Sequence, residues 1–291
     1  MRSTAAGTEG HLLWKSAQAM NLRDQSGALA LQTDALTKRF GDKTAVDAVS
    51  IAAAHGEILG LIGPNGAGKS TLIKMLTTLL PPTSGSAAIA GFDIVREPAE
   101  VRRRIGYVPQ LLSADGSLTG YENLLLSARL YAIPRVERAP RIRHALEVMG
   151  LADSADHLVQ RYSGGMIRRL EIAQSMLHRP QVLFMDEPTV GLDPVARQSV
   201  WQHVRQLKVA LRTTMLITTH YMEEADELCD RIALIHDGRI ADIGTPDELK
   251  SRVGPGATLD DVFAHLTGVE IESQGSYREV RRARASARGH G

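Results

Sequence analysis

Cysteine is nearly absent from this sequence, since Cys229 is the only one among 291 residues. A single thiol excludes an intramolecular disulfide framework and a multi-thiolate metal site, and it suits a reducing compartment. We therefore expect Cys229 to pack in the core as a small hydrophobic side chain.

The sequence also lacks an excess of either charge, because 34 Lys and Arg residues face 33 Asp and Glu residues, a net charge of +1. Such a balance gives the chain no net electrostatic attraction to nucleic acid or to an anionic membrane. No nucleic-acid partner is expected, and any charged ligand must be bound by a local site.

Long apolar runs are missing as well. No segment reaches the about 18 consecutive apolar residues that a transmembrane helix needs, and Lys15 and Arg23 interrupt every candidate signal peptide. The chain is therefore expected neither to be secreted nor to cross a membrane by itself. With 43% hydrophobic and 23% charged residues, it has the composition of a globular protein, and its length predicts one large domain or two modest ones.

From Ala28 onward, short apolar runs alternate with amphipathic segments, which predicts an α/β fold. Three runs have the character of buried parallel strands: 58–62, 182–185 and 214–218. A mostly helical insert is predicted between Ser117 and Leu177, with helices at 118–131, 136–149 and 163–177.

The two ends differ from the middle of the chain. Residues 1–28 are polar and aperiodic, which indicates a flexible extension with Met20 as a possible alternative start, and residues 29–250 are expected to form one domain whose helical part spans about 112–178. Residues 251–291 contain one amphipathic helix at 259–266 and a tail with five Arg between Arg278 and Arg288. This tail is interpreted as disordered, with a weak contact to anionic lipid headgroups as the alternative.

A phosphate-binding loop follows the first apolar strand and opens a helical segment. It fits the pattern G-x-x-x-x-G-K-[ST] without a mismatch: Gly63, Pro64, Asn65, Gly66, Ala67, Gly68, Lys69 and Ser70. Small residues let backbone N–H groups approach a phosphate chain, and the helix start adds partial positive charge. We expect Lys69 to reach the β- and γ-phosphates, Ser70 to bind Mg²⁺ and Thr71 to bind the α-phosphate.

Two carboxylates, Asp186 and Glu187, end the second apolar strand. Asp186 is placed to hold Mg²⁺ through its waters, and Glu187 to act as the general base on the attacking water. Alone, such a pair is more often a solvated strand end, and many P-loop proteins lack the Glu. These two elements therefore leave the kind of P-loop protein open.

The segment Tyr162-Ser163-Gly164-Gly165-Met166 opens the helix before the Asp186 strand. Here the chain resembles the ATP-binding-cassette (ABC) ATPases, whose signature is usually Leu-Ser-Gly-Gly-Gln. It departs from that signature at its first and last positions and keeps Ser163, Gly164 and Gly165, a helix start that offers a second anion site. The resemblance implies a P-loop NTPase fold with a RecA-like parallel sheet core, an antiparallel β subdomain and an inserted α-helical subdomain.

Four further residues match this family in order between about Leu31 and Gly244, although each would be weak alone. The resemblance implies that Phe40 stacks on adenine and that Gln110 links the metal site to the helical insert. It likewise implies that Asp193 crosses a dimer seam and that His220 contacts the γ-phosphate.

The resemblance implies a head-to-tail homodimer with ATP and Mg²⁺ between Lys69 of one copy and Ser163 of the other. Because Glu187, His220 and Ser163 are all retained, both sites are expected to hydrolyse ATP. Soluble family members most often drive a separate multi-span permease, which implies a peripheral position on the cytoplasmic face of the plasma membrane. Residues 186–194 and 258–263, with the Tyr162–Met166 segment, resemble bacterial drug exporters of the daunorubicin-resistance type.

Other classes remain as alternatives at this point. A permease-independent ABC ATPase of DNA or RNA metabolism would usually carry two cassettes or a long coiled coil, and neither is found. A P-loop kinase or GTPase needs no Ser163-Gly164-Gly165 helix, and a GTPase would carry an Asn-Lys-x-Asp motif. A non-catalytic nucleotide-gated regulator is also open, and measurable ATP turnover would exclude it.

Overall fold

The computed structural model describes residues 29–268. The strands, numbered along the chain, are β1 (Leu29–Phe40), β2 (Lys43–Val49), β3 (Ala52–Ala54), β4 (Ile58–Ile62), β5 (Ser84–Ile89), β6 (Phe92–Asp93), β7 (Ile105–Val108), β8 (Val182–Asp186), β9 (Thr214–Thr219), β10 (Arg231–His236) and β11 (Arg239–Gly244). The helices are α1 (Lys69–Leu76), α2 (Pro98–Arg104), α3 (Gly120–Leu130), α4 (Arg135–Val148), α5 (Gly164–Met176), α6 (Pro194–Leu211), α7 (Met222–Leu228), α8 (Pro246–Val253) and α9 (Leu259–Thr267).

A six-stranded sheet in the order β11-β10-β4-β9-β8-β7 forms the centre of the fold. Its strands run parallel except for the antiparallel pair β10 and β11. Strands β4 and β8 are buried along their whole length, as expected for parallel strands covered on both faces. The mixed α/β fold with a parallel core, predicted above, is confirmed.

A second, five-stranded sheet is antiparallel and has the order β2-β1-β5-β6, with β3 paired to β1. Its apolar face packs with α1 on one side of the central sheet, where Leu59 and Leu61 of β4 point. Ile58 and Ile62 belong to the cluster on the other side, to which helices α3 to α9 contribute. The alternation of β4 side chains thus joins both halves of the core.

The predicted helices of the insert are observed with ends shifted by one or two residues, as α3, α4 and α5. Helix α4 continues through Pro140, and α3 begins with a capping box between Thr119 and Glu122. Cys229 is buried, as expected. The predicted flexible extension and the Arg278–Arg288 tail lie outside the described residues.

Strand order brings the chemically interesting loops together. Strand β9 lies between β4 and β8, and the register pairs Ile62 with Thr219 and Asp186 with Thr218. The loops after the carboxyl ends of these strands therefore meet at one edge of the sheet, where α/β proteins bind ligands. Within residues 29–268, no helix combines the length and apolarity needed to cross a bilayer.

Candidate active site

The loop of residues 63–68 leaves buried strand β4 and leads directly into α1. A Cβ atom on Gly63 would lie 2.1 Å from the carbonyl oxygen of Ile235, so only glycine fits there. Gly68 has a φ of +106° and provides no side-chain cap for α1. The first N–H groups of α1 are therefore left without a capping side chain, as an anion site requires.

Gly68→Ala is expected to weaken ATP binding strongly and to lower the unfolding temperature. Its Cβ would lie 2.4 Å from the carbonyl oxygen of Ala45, and the left-handed backbone alone costs more than about 1 kcal/mol. Gly66→Ala is the matched control, because Gly66 has a φ of +84° and open space around it. Thermal unfolding and titration with a fluorescent ATP analogue measure both effects. Equal losses in the two variants would show that the collision with Ala45 has no consequence.

Lys69, the first residue of α1, is 4% exposed. Its Nζ donates hydrogen bonds to the carbonyl oxygens of Gly63 (2.8 Å) and Pro64 (3.1 Å). The same atom lies 3.1 Å from Oε1 of Glu187. The ammonium group thus joins the phosphate loop to the acidic end of β8, where a phosphate oxygen can compete for it.

Asp186 ends strand β8 and is buried. Its Oδ1 accepts hydrogen bonds from Thr218 Oγ1 (2.6 Å) and Ser70 Oγ (3.2 Å). Mg²⁺ is commonly held by one or two carboxylates, substrate phosphates and water. The adjacent hydroxyl and carboxylate fit this requirement, and residues 29–268 contain no cluster of three or more His, Cys, Asp or Glu side chains suited to a metal.

Glu187 has a left-handed backbone with a φ of +47°. Its N–H holds this conformation by donating to both the carbonyl oxygen and Oγ1 of Thr218, each at 3.0 Å. A left-handed conformation is uncommon for a residue other than glycine and is often found at functional sites. In this conformation the Glu187 carboxylate contacts Lys69, whereas the Asp186 carboxylate contacts Thr218 and Ser70.

Three side chains from different segments of the chain contact the Glu187 carboxylate. Besides Lys69 on Oε1, Gln110 Nε2 donates to Oε2 at 3.1 Å, and His220 Nδ1 lies 3.4 Å from Oε2. Burial acts to raise the pKa of Glu187, but His220 and the charge of Lys69 outweigh it and hold this pKa below its ordinary value. The carboxylate is therefore ionised at neutral pH, as a general base must be.

A second group of predicted residues surrounds the start of α5. Ser163 caps α5 and accepts from the N–H of Met166 at 3.3 Å. A Cβ on Gly164 would lie 3.1 Å from Cδ2 of Leu192, and one on Gly165 would lie 2.9 Å from Cβ of Ala196. The two glycines thus allow α5 to approach both the loop before α6 and the first turn of α6.

Asp193 caps α6 by accepting from the N–H groups of Val195 and Ala196, both at 3.0 Å. Both Asp193 and Ser163 are exposed to solvent. The structure thus gathers the predicted residues into two sets: Lys69, Ser70, Gln110, Asp186, Glu187 and His220 in one, and Ser163, Gly164, Gly165 and Asp193 in the other.

Phe40, at the end of β1, belongs to neither set. Its ring is 50% exposed and has Lys38 Nζ 5.2 Å from its centroid. The exposed Phe40 ring is free to stack on a base.

Thr71 lies in the first turn of α1 and is partly buried.

Two buried polar residues had no recognisable signal in the sequence: Thr218, which belongs to the site, and Glu224 of α7. Thr218 binds both Asp186 and the backbone of Glu187, yet a threonine in an apolar strand indicates only β-propensity. Glu224 is 1% exposed, and its Oε1 accepts from Thr189 Oγ1 (2.8 Å) and Trp201 Nε1 (2.9 Å). Burial raises its pKa. The Glu223-Glu224 pair would ordinarily indicate a solvated helix start.

Comparison with known proteins agrees with this geometry. Residues 46–190 match the family model described as ABC transporter. The daunorubicin resistance ATP-binding protein DrrA3 of Streptomyces coeruleorubidus is 47% identical over 256 residues, which cover 84% of this chain and 80% of that protein. The chain belongs to the ABC transporter ATP-binding proteins. It is accordingly an ATPase.

Solved structures of this family share the fold. An ATP-binding subunit of an ABC transporter has a TM-score of 0.72 and 30% identity, covering 82% of this chain and 99% of that one. A dimeric ATP-binding cassette, MJ0796, bound to ADP and Pi, has a TM-score of 0.65 and 27% identity, covering 74% and 98%. The P-loop NTPase fold inferred from the sequence is confirmed.

Proposed function

We propose that two copies of this chain pack head to tail and bind each ATP between Lys69 of one copy and Ser163 of the other. The single observation that supports this most directly is the division of the site into two sets, each built around the start of a helix. The start of α1 has no side-chain cap, and the start of α5 is capped by the exposed Ser163. Both helix starts favour anions. The dimeric state of the structurally similar cassette bound to ADP and Pi supports the same arrangement.

In this proposal, each side chain of the first set has one task. Lys69 neutralises the β- and γ-phosphates. Ser70, Asp186 and Gln110 would hold Mg²⁺, which would supply charge neutralisation on the phosphate oxygens. Glu187 orients the attacking water and accepts its proton, and His220 contacts the γ-phosphate. Phe40 stacks on the adenine, and Asp193 lines the seam between the copies.

We further propose that the dimer drives a separately encoded multi-span permease from the cytoplasmic face of the membrane. Leu111 and Leu112 directly follow Gln110 and are 82% and 50% exposed. Two adjacent exposed leucines favour a contact surface, and in this proposal a cytoplasmic helix of the permease docks beside them. The similarity to a daunorubicin resistance protein favours export of a drug-like or lipophilic compound.

Capture of the permease tests this part of the proposal. The tagged chain, co-expressed with the proposed multi-span permease, is expected to retain that protein in detergent and to gain ATPase activity. The double variant Leu111→Asp/Leu112→Asp is expected to lose the capture without a lower unfolding temperature. Val209→Asp, at an 81% exposed position of α6, is the control that retains it. Undiminished capture by the double variant would contradict the proposed docking surface.

A further inference from the structure

An ion pair between Arg168 and Glu171 is buried on the inner side of α5. Arg168 is 1% exposed and Glu171 is 3% exposed, and Arg168 Nη1 lies 3.0 Å from Glu171 Oε2. Burying two charges is costly, and the pair is tolerated only when further hydrogen bonds satisfy both groups. The location of those hydrogen bonds indicates what the pair holds.

All of those further hydrogen bonds run to one loop, residues 109–114, which leaves the central sheet after β7. Arg168 donates through Nη1 to the carbonyl oxygen of Pro109 (2.6 Å) and through Nη2 to that of Gln110 (2.7 Å). Glu171 Oε1 accepts from the N–H of Ser113, from Ser113 Oγ (3.2 Å) and from the N–H of Ala114 (3.3 Å). We call Arg168 and Glu171 together the α5 clasp.

The clasp therefore connects the two sets of active-site residues. Gln110 has its backbone bound to Arg168 and its side chain 3.1 Å from the Glu187 carboxylate. Ser163 caps the same helix, and Arg168 follows five residues later, about 7.5 Å along a rigid helix. A displacement of the Ser163 end of α5 must consequently move the backbone of Gln110.

We propose that the α5 clasp positions Gln110. When Ser163 contacts the nucleotide bound by the partner, the clasp places the Gln110 side chain in hydrogen-bonding contact with Glu187 of its own chain. This inference rests on the head-to-tail dimer proposed above. Each chain then transmits the state of one ATP site to the other, which is a coupling free energy between two sites. The clasp acts through Gln110 and contacts neither nucleotide itself.

Helix α5 also offers a matched control. Arg169, the next residue, donates through Nη1 to the carbonyl oxygens of Met149 (2.7 Å) and Gly150 (3.3 Å). These partners follow α4 within the helical insert. Removing Arg169 therefore removes an arginine of the same helix that has no hydrogen bond to the Gln110 loop.

The test compares ATPase rate against ATP concentration for the full-length wild type and for Arg168→Met/Glu171→Leu. The double variant leaves no unpaired buried charge, so its fold should persist. Its unfolding temperature should fall, because the loop 109–114 loses five hydrogen bonds. A dimer with two coupled sites gives the wild type a Hill coefficient approaching about 2. We expect a value near 1 for the double variant, a roughly tenfold lower kcat, and a wild-type Hill coefficient for Arg169→Met.

Each outcome decides the question. A cooperative wild type with an equally cooperative double variant overturns the clasp alone, and so does a dimeric wild type that shows no cooperativity. A wild type that stays monomeric and hydrolyses ATP without cooperativity contradicts the proposed dimer and the clasp with it. If the double variant fails to fold, Arg168→Lys replaces it, because a single ammonium group cannot bridge both carbonyl oxygens. Its Hill coefficient should lie between 1 and the wild-type value, and a curve that coincides with wild type overturns the clasp.

Discussion

Glu187→Gln is expected to bind ATP with nearly unchanged affinity, to hydrolyse it at least about 100-fold more slowly, and to accumulate as an ATP-bound dimer. Loss of a general base typically costs about 10²–10⁴-fold in rate. The pKa of Glu187 lies below its ordinary value, so the wild-type side chain is a carboxylate at neutral pH. Glutamine keeps the shape and the acceptor oxygen near Lys69 but cannot take a proton from water.

Phosphate release measures the rate, and sedimentation with and without ATP measures the dimer. Glu223→Gln makes the same chemical change at an exposed position of α7 and is expected to behave as wild type. A Glu187→Gln protein that releases phosphate at the wild-type rate would rule out the general-base role. A Glu187→Gln protein that remains monomeric with ATP would instead argue against the dimer.

Lys69→Ala is expected to abolish turnover and to lower ATP affinity by about 10- to 150-fold, since a hydrogen bond to a charged group contributes about 1.5–3 kcal/mol. The variant also leaves Glu187 buried without the partner that lies 3.1 Å away. Removing one member of a buried pair is strongly destabilising. The loss of the Lys69 charge should also raise the pKa of Glu187.

A fluorescent ATP analogue measures the affinity, and thermal unfolding separates binding from folding. Lys74→Ala is the matched control, because Lys74 lies on the same helix and is exposed. The interpretation of the phosphate loop would be wrong if Lys69→Ala bound ATP as tightly as Lys74→Ala.

Local patterns were sufficient for the parallel core of the fold and for one half of the site. The sequence motif of the phosphate loop predicted the strand that ends at Ile62 and the helix that begins at Lys69, and both are observed. The apolar run before Asp186 predicted β8 for the same reason. Each of these features depends on residues that are close together in the chain, and a local sequence pattern is made of such residues.

Contacts between distant segments could not be predicted in the same way. Nothing in the sequence indicated that Thr218 would hold both Asp186 and the left-handed backbone of Glu187. Arg168 and Glu171, three residues apart, have the spacing of an exposed helical ion pair. Only the packing of α5 against the Gln110 loop shows that this pair is buried. The antiparallel sheet was likewise expected from family resemblance rather than from residue patterns.

A mixing experiment tests the central claim, the composite ATP site between two chains, most directly. Lys69→Ala and Ser163→Asp are prepared separately, and each alone should be inactive. Lys69→Ala lacks the ammonium group that contacts the phosphates, and the aspartate of Ser163→Asp retains the helix cap but presents a carboxylate to phosphate. Mixed in equal amounts, they should recover turnover, up to about a quarter of the wild-type rate, because half of the dimers become heterodimers with one intact site. Turnover that stays at the average of the two separate variants would contradict the account.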